Sequence, residues 1–191
     1  MALRSIVYSD NPLLRKSSSK VRRITEDIEQ LVEDMFETMQ EERGVGLAAI
    51  QVGVPVRLFV VKIPEEMEDP DAGTTLVLLN PKIARRSREI EDGVEGCLSV
   101  PGWMGNVPRH VEITVKGIDM DGQKTRLKAS GYLARVLQHE IDHLNGVLFI
   151  DHATETWEVE EGEEEALEAE AAAKRARERA AEQLELVKTV E

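Results

Sequence analysis

The run Gln138-His139-Glu140-Ile141-Asp142-His143 holds the residue types best suited to chemistry. Two histidines four positions apart on a helix lie one turn apart on the same face, so both imidazoles can reach one metal ion. At about 100° per residue, Tyr132, Val136, His139 and His143 form one stripe of that helix, and Leu133, Leu137, Ile141 and Leu144 form its neighbour. The second stripe is suited to packing and the first to a site. Glu140 falls beside the pair without lining up with it, where it can take a proton from a metal-activated water without being a ligand. A His-Glu-x-x-His string also arises by chance on charged helices, so the metal reading needs a third ligand.

Cys97, the single cysteine, lies in Glu95-Gly96-Cys97-Leu98-Ser99. Alone it reads as a small buried hydrophobe as well as it reads as a ligand. With two neutral imidazoles, its thiolate makes three protein ligands and leaves one position for water, as a catalytic metal needs. His110 and His152 read as surface or structural residues. A third stretch, Gly44-Val45-Gly46-Leu47-Ala48-Ala49-Ile50-Gln51-Val52-Gly53, has glycines that permit a sharp turn and a close backbone approach. No Lys-Ser or Lys-Thr follows, which excludes a phosphate loop. The stretch reads as a tight helix-to-strand turn whose one polar side chain is Gln51.

The elements that must carry these stretches follow from periodicity. Apolar Ile28, Leu31, Val32, Met35, Phe36 and Met39 after the N-cap Thr25 predict an amphipathic helix whose Met/Phe stripe packs a core. Residues 57–63 and 75–79 read as strands joined by a solvated loop over 64–73. Alternation at 111–115, the turn Asp121-Gly122 and the run 124–128 predict an antiparallel hairpin. The helix over 131–145 follows, with Gly146 as its C-cap. Residues 6–21 read as extended chain and short turns wrapping the surface. Strands followed by a long helix predict an α+β fold, with antiparallel or mixed sheets packed around the histidine helix.

Composition narrows the classes. The 191 residues suit one domain plus an appendage, here a catalytic unit over 1–152 and a helical, Ala/Glu-rich extension over 153–191. The net charge of −13 argues against general nucleic-acid binding, and residues 153–191, with 13 acidic and 5 basic side chains, carry most of it. No apolar run reaches the length of a signal peptide or a membrane span. A lone thiol suits a reducing compartment. The chain is expected to be cytoplasmic or the mature form of an organellar protein.

Together, Gly44-Val45-Gly46-Leu47-Ala48-Ala49-Ile50-Gln51, Glu95-Gly96-Cys97-Leu98-Ser99 and Gln138-His139-Glu140-Ile141-Asp142-His143 resemble the three motifs of the peptide deformylases in order and spacing. The resemblance runs from the start of the chain to about Asp151. It implies an α+β hydrolase that removes the formyl group from N-formylmethionine on new polypeptides and releases formate. It further implies that Cys97, His139 and His143 bind a divalent metal, ferrous iron in the usual form, with nickel, cobalt or zinc as substitutes. Glu140 is then the general base, while the Gln51 amide and the backbone N–H of Leu98 serve the oxyanion. Gly46 and Gly96 let the peptide lie alongside as an added strand. Val45, Tyr132 and Val136 are candidates for the methionine pocket, and Arg109 is expected to pair with Asp142 to anchor the helix. Some members dock on the ribosome through a C-terminal helix, a role open to the basic cluster Lys174, Arg175, Arg177 and Arg179. The rival enzyme is a zinc peptidase of the His-Glu-x-x-His kind with a downstream His or Glu as third ligand, which leaves Cys97 and Gln51 unused. A structural-metal binding module would need a fourth protein ligand.

Overall fold

Alternation along Leu58-Phe59-Val60-Val61 decides the layering. In the computed structural model, which describes residues 2–67, 69–160, 163, 167, 170, 173, 174 and 177, all four side chains are buried, but they enter two different cores. Leu58 and Val60 pack with Leu31, Val32, Met35 and Met39 of helix α1 (Glu26–Glu41). Phe59 and Val61 pack on the other face with Leu133, Leu137, Ile141 and Leu144 of helix α2 (Gly131–Leu144). A strand pointing successive residues to opposite faces, both covered by helix, is apolar at every position.

The sheet between the helices comprises β1 (Gly46–Ala48), β2 (Leu58–Lys62), β3 (Thr75–Arg86), β6 (Glu112–Ile118) and β7 (Lys124–Ser130) in the order β1-β2-β3-β6-β7. Every neighbouring pair is antiparallel. A second antiparallel sheet, β4-β5-β8, comprises β4 (Ile90–Glu95), β5 (Trp103–His110) and β8 (Glu155–Glu158). The α+β architecture expected from the sequence is the one found.

Several details differ. The strand expected over 75–79 continues to Arg86 through register shifts around Asn80-Pro81, a residue pair that favours turns. Asn80 takes φ +51 there, and its side chain exchanges hydrogen bonds with the Val21 backbone at 2.9 and 2.8 Å. The strands of the second sheet are not marked in the sequence: they carry Glu, Asp, Gly and Pro, and β-propensity is weak in that company. Residues 155–158, assigned to the extension, form its edge strand β8. Most of the expected helical tail lies outside the described residues, of which 167, 170, 173, 174 and 177 are helical.

The N-terminal segment does more than wrap the surface. The Val7 amide donates to the Gln51 carbonyl at 2.7 Å and the Ser9 amide to the Ser99 carbonyl at 2.8 Å, so one strap fastens two of the three motif stretches. It is moored to α1 by Asp34, which accepts from the Ala2 amide at 3.0 Å and from Arg4 Nε at 3.0 Å. These contacts, the Ala2 amide first, hold the Asp34 carboxyl below its ordinary value. A carboxyl depressed on folding stabilises the fold above the unfolded pKa of about 3.9, and the effect is lost as pH falls through the lower folded value. Asp34→Asn is therefore expected to lower the melting temperature at pH 7, with the gap from the parent closing below about pH 4. A gap that stays constant into acid would contradict the mooring.

Candidate metal centre

Three atoms from two elements converge on one point. Cys97 follows β4 in a turn closed by a Val100 amide to Cys97 carbonyl bond of 2.8 Å. Its Sγ lies 3.2 Å from His143 Nε2, which lies 3.1 Å from His139 Nε2. The ligating atoms of Cys97, His139 and His143 all lie within 4.8 Å of one another. The histidines come from successive turns of α2, as the i, i+4 spacing requires. A thiolate with two imidazole Nε2 atoms facing a common centre suits a borderline-soft divalent cation and leaves a coordination position open.

Behind His139 sits a carboxylate. Glu95, at the end of β4 and buried, accepts from His139 Nδ1 at 3.1 Å, which leaves the Nε2 lone pair facing the centre. Its oxygens also accept from Arg109 Nε and Nη2 at 2.8 and 2.9 Å and from Arg135 Nη1 at 2.8 Å. Burial alone would raise the Glu95 carboxyl, but Arg109 and His139 outweigh it and hold the group well below the carboxylate range. Burial would likewise lower His139, yet its bonds to Cys97 and Glu95 raise it above its ordinary value. His143, pushed down by burial and by the neighbouring His139 and Arg109 charges, stays neutral, the form in which imidazole ligates. Arg109 also donates to Asp142 of α2, the pairing the resemblance implied.

The other motif residues close round this point. Gln51 sits in the 3-10 turn Ala49–Val52 with its Oε1 accepting from the Ala48 amide at 2.8 Å. Its Nε2 is thereby turned to Ser99 Oγ at 3.2 Å and Cys97 Sγ at 3.6 Å. Glu140 is buried against Gly46, where any Cβ would come within 2.9 Å of the Glu140 Cδ and closer still to Oε1. Only glycine at 46 lets that carboxylate lie where it does. A cavity of about 1080 Å³ opens onto these groups, lined by Val45, Gly46, Gln51, Gly96, Cys97, Leu98, Tyr132, Val136, His139 and Glu140. His143, Arg109 and Asp142 are not among the lining residues.

Some lining residues were missed. Pro64, Glu66 and Met67 belong to the loop read as merely solvated, and Met67 packs on the core. Glu170, Ala173, Lys174 and Arg177 come from the extension. Arg135, Glu95 and Ser99 were not assigned site roles. Arg135 had a usable signal, because it stands one helical turn before His139 and shares its side of α2.

A Cys-His-His group able to hold a metal ion, with a buried carboxylate at hand on an α+β scaffold, fits a metal-dependent hydrolase. The model of the polypeptide deformylase family matches residues 3–158. A peptide deformylase from Thermomicrobium roseum is 50% identical over 153 residues, which cover 79% of this chain and 86% of that one. The crystal structure of peptide deformylase from Ehrlichia chaffeensis superposes with a TM-score of 0.75 at 36% identity, covering 94% of this chain and 97% of the other. That from Thermotoga maritima gives 0.74 at 37% identity, with 81% of this chain covering 100% of it. The chain belongs to the peptide deformylase family, hydrolases that remove the formyl group from N-formylmethionine.

The buried carboxylate gives the centre its test. Glu95→Gln leaves the buried Arg135 without a carboxylate partner and Arg109 with Asp142 alone, a loss on the order of 3–5 kcal/mol. It also replaces one of the two acceptor oxygens shared by Arg109, Arg135 and His139 with an N–H donor and removes the charge behind His139, which should weaken metal binding by about 10- to 100-fold. Denaturant titration of the metal-free variant and competition with a chelator measure the two effects. Parent-like values in both would remove Glu95 from the centre.

Proposed function

We propose that Cys97, His139 and His143 hold the metal and that Glu140, Gln51 and Leu98 carry the deformylation. The observation that most supports this is the convergence of Sγ and two Nε2 atoms beside the buried Glu140 carboxylate. When bound, the divalent ion supplies acidity to water and positive charge to the developing oxyanion. Glu140 takes the proton of the water that adds to the formyl carbon. As the carbon–nitrogen bond breaks, it returns a proton to the leaving amine, so that formate and a free methionyl N-terminus result. Gln51 Nε2, its orientation set through the Ala48 amide, and the Leu98 N–H donate to the oxyanion. Gly46, by lacking a side chain, keeps room for Glu140.

The substrate's main chain is proposed to run along β1. That strand ends the sheet order, so one of its edges is open to an added strand, with Gly46 and Gly96 offering no side chain to obstruct it. The methionine side chain then enters between Val45, Tyr132 and Val136. Main-chain pairing of this kind tolerates varied sequence after the methionine. A zinc peptidase remains the rival, but Cys97 occupies the place its downstream ligand would need.

Ferrous iron is the proposed ion, with nickel, cobalt or zinc able to substitute, since a thiolate and two imidazoles do not enforce one metal. Elemental analysis of protein prepared without air should find about one iron per chain, and zinc in its place would overturn the assignment. We place the enzyme in the cytoplasm, where its substrates are made and its thiol stays reduced. No helix among the described residues is long and apolar enough to cross a membrane. Ribosome docking through the extension rests on Lys174, Arg175, Arg177 and Arg179, of which Arg175 and Arg179 lie outside the described residues. Co-sedimentation with ribosomes, lost in a variant with all four neutralised, would support it.

Formate release from a formyl-Met peptide decides the function, with the unformylated peptide as control. The metal-loaded protein should release formate and leave the control uncut, whereas cleavage of the control would favour the peptidase. Glu140→Ala should keep its metal and lose about 10²- to 10⁴-fold in turnover. Gln51→Ala should lose about 10²- to 10³-fold in kcat, and a change confined to KM would make Gln51 a binding residue only.

A further inference from the structure

The cavity is larger than its chemistry needs. At about 1080 Å³ it slightly exceeds the clefts that enclose a whole drug-sized ligand, about 300–1,000 Å³. On the deformylase reading the formyl group and methionine take the part lined by Val45, Tyr132, Val136 and the candidate metal ligands, which leaves volume for the chain that follows. The extension also lines this cavity. Glu170, Ala173, Lys174 and Arg177 are helical, and all four line the cavity. Their i, i+3, i+4, i+7 spacing puts these four on one side of a helix. Ala173 is half-buried at the middle of that face, while Glu170, Lys174 and Arg177 are exposed around it.

We infer that this helix face is a subsite of the enzyme, binding the main chain of the polypeptide downstream of formylmethionine. The inference rests on the deformylase reading of the inner site. Lys174 and Arg177 supply donors for peptide carbonyls, and Glu170 supplies an acceptor for a peptide N–H. With both kinds of partner present, recognition follows the length of the peptide rather than the charge of its side chains. Ala173, with the smallest side chain that keeps helix propensity, leaves the channel open beside them.

The test uses the full-length, metal-loaded protein and a ladder of amidated peptides from formyl-Met-Ala to formyl-Met-Ala-Ala-Ala. For the parent, kcat/KM for formate release should rise along the ladder. Ala173→Trp, which fills the channel, should reduce the ratio of the longest to the shortest peptide by about tenfold, the effect of about 1.4 kcal/mol. The pair Lys174→Ala and Arg177→Ala should reduce the same ratio, and it serves where Ala173→Trp does not fold. Peptides carrying Asp or Lys in place of the third and fourth residues should behave alike. A ratio unchanged from the parent in the folded variants, or one set by substrate charge, would overturn the subsite while leaving the deformylase reading intact. A parent that releases formate from no peptide would overturn that reading instead.

Discussion

The carboxylate of Glu95 is the interaction on which the rest of the centre depends. It is buried at the junction of the second sheet and α2, bonded to two guanidinium groups and one imidazole. Placing such charges in a low-dielectric interior costs several kcal/mol per ion unless their partners are complete. Here they are: Arg109 also meets Asp142, and Arg135 donates to the carbonyls of Val107, Glu91 and Gly93 at 2.7, 2.8 and 3.3 Å. Arg109 and Arg135 are balanced by Glu95 and Asp142, and Glu95 accepts from His139 Nδ1, so the Nε2 of that ring is the atom turned to the centre.

That cluster also joins parts of the chain that folding must bring together. Glu95 ends the strand that leads into Cys97, Arg109 lies on the strand paired with it, and Arg135, His139 and Asp142 lie on α2. The distance between the thiol and the imidazoles is therefore set by buried ion pairs rather than by a loop. Gln138 adds to this by exchanging hydrogen bonds with the His110 backbone at 3.2 and 2.9 Å. On the opposite side, the Val7 and Ser9 amides hold the Gln51 and Ser99 turns, so that side of the site is strapped as the Cys97 and histidine side is bolted.

Much of this was legible because local periodicity carries it. The His139/His143 pair, the apolar faces of both helices and the antiparallel hairpin all follow from spacing along a few turns or one pleat. The lone cysteine could be joined to the pair by the chemistry of its side chain. What stayed hidden depends on partners distant in sequence. Glu91, Asp92 and Gly93 have little strand propensity of their own, and only pairing with Arg109, Pro108 and Val107 makes them a strand. The roles of Glu95 and Arg135 need each other and Arg109 before they mean anything. The contribution of Pro64 and Met67 to the cleft, and that of Glu170, Ala173, Lys174 and Arg177, arises from packing that composition does not encode.

The central claim is that one thiolate and two imidazoles, and no fourth protein group, hold the metal. X-ray absorption at the metal edge of the loaded protein tests it most directly. For a tetrahedral zinc-substituted form the account predicts one sulfur at about 2.3 Å and two imidazole nitrogens at about 2.0–2.1 Å, with an oxygen completing the shell. Cys97→Ala should bind too little metal to give that spectrum. A parent shell without sulfur, or one filled by four protein ligands, would contradict the account.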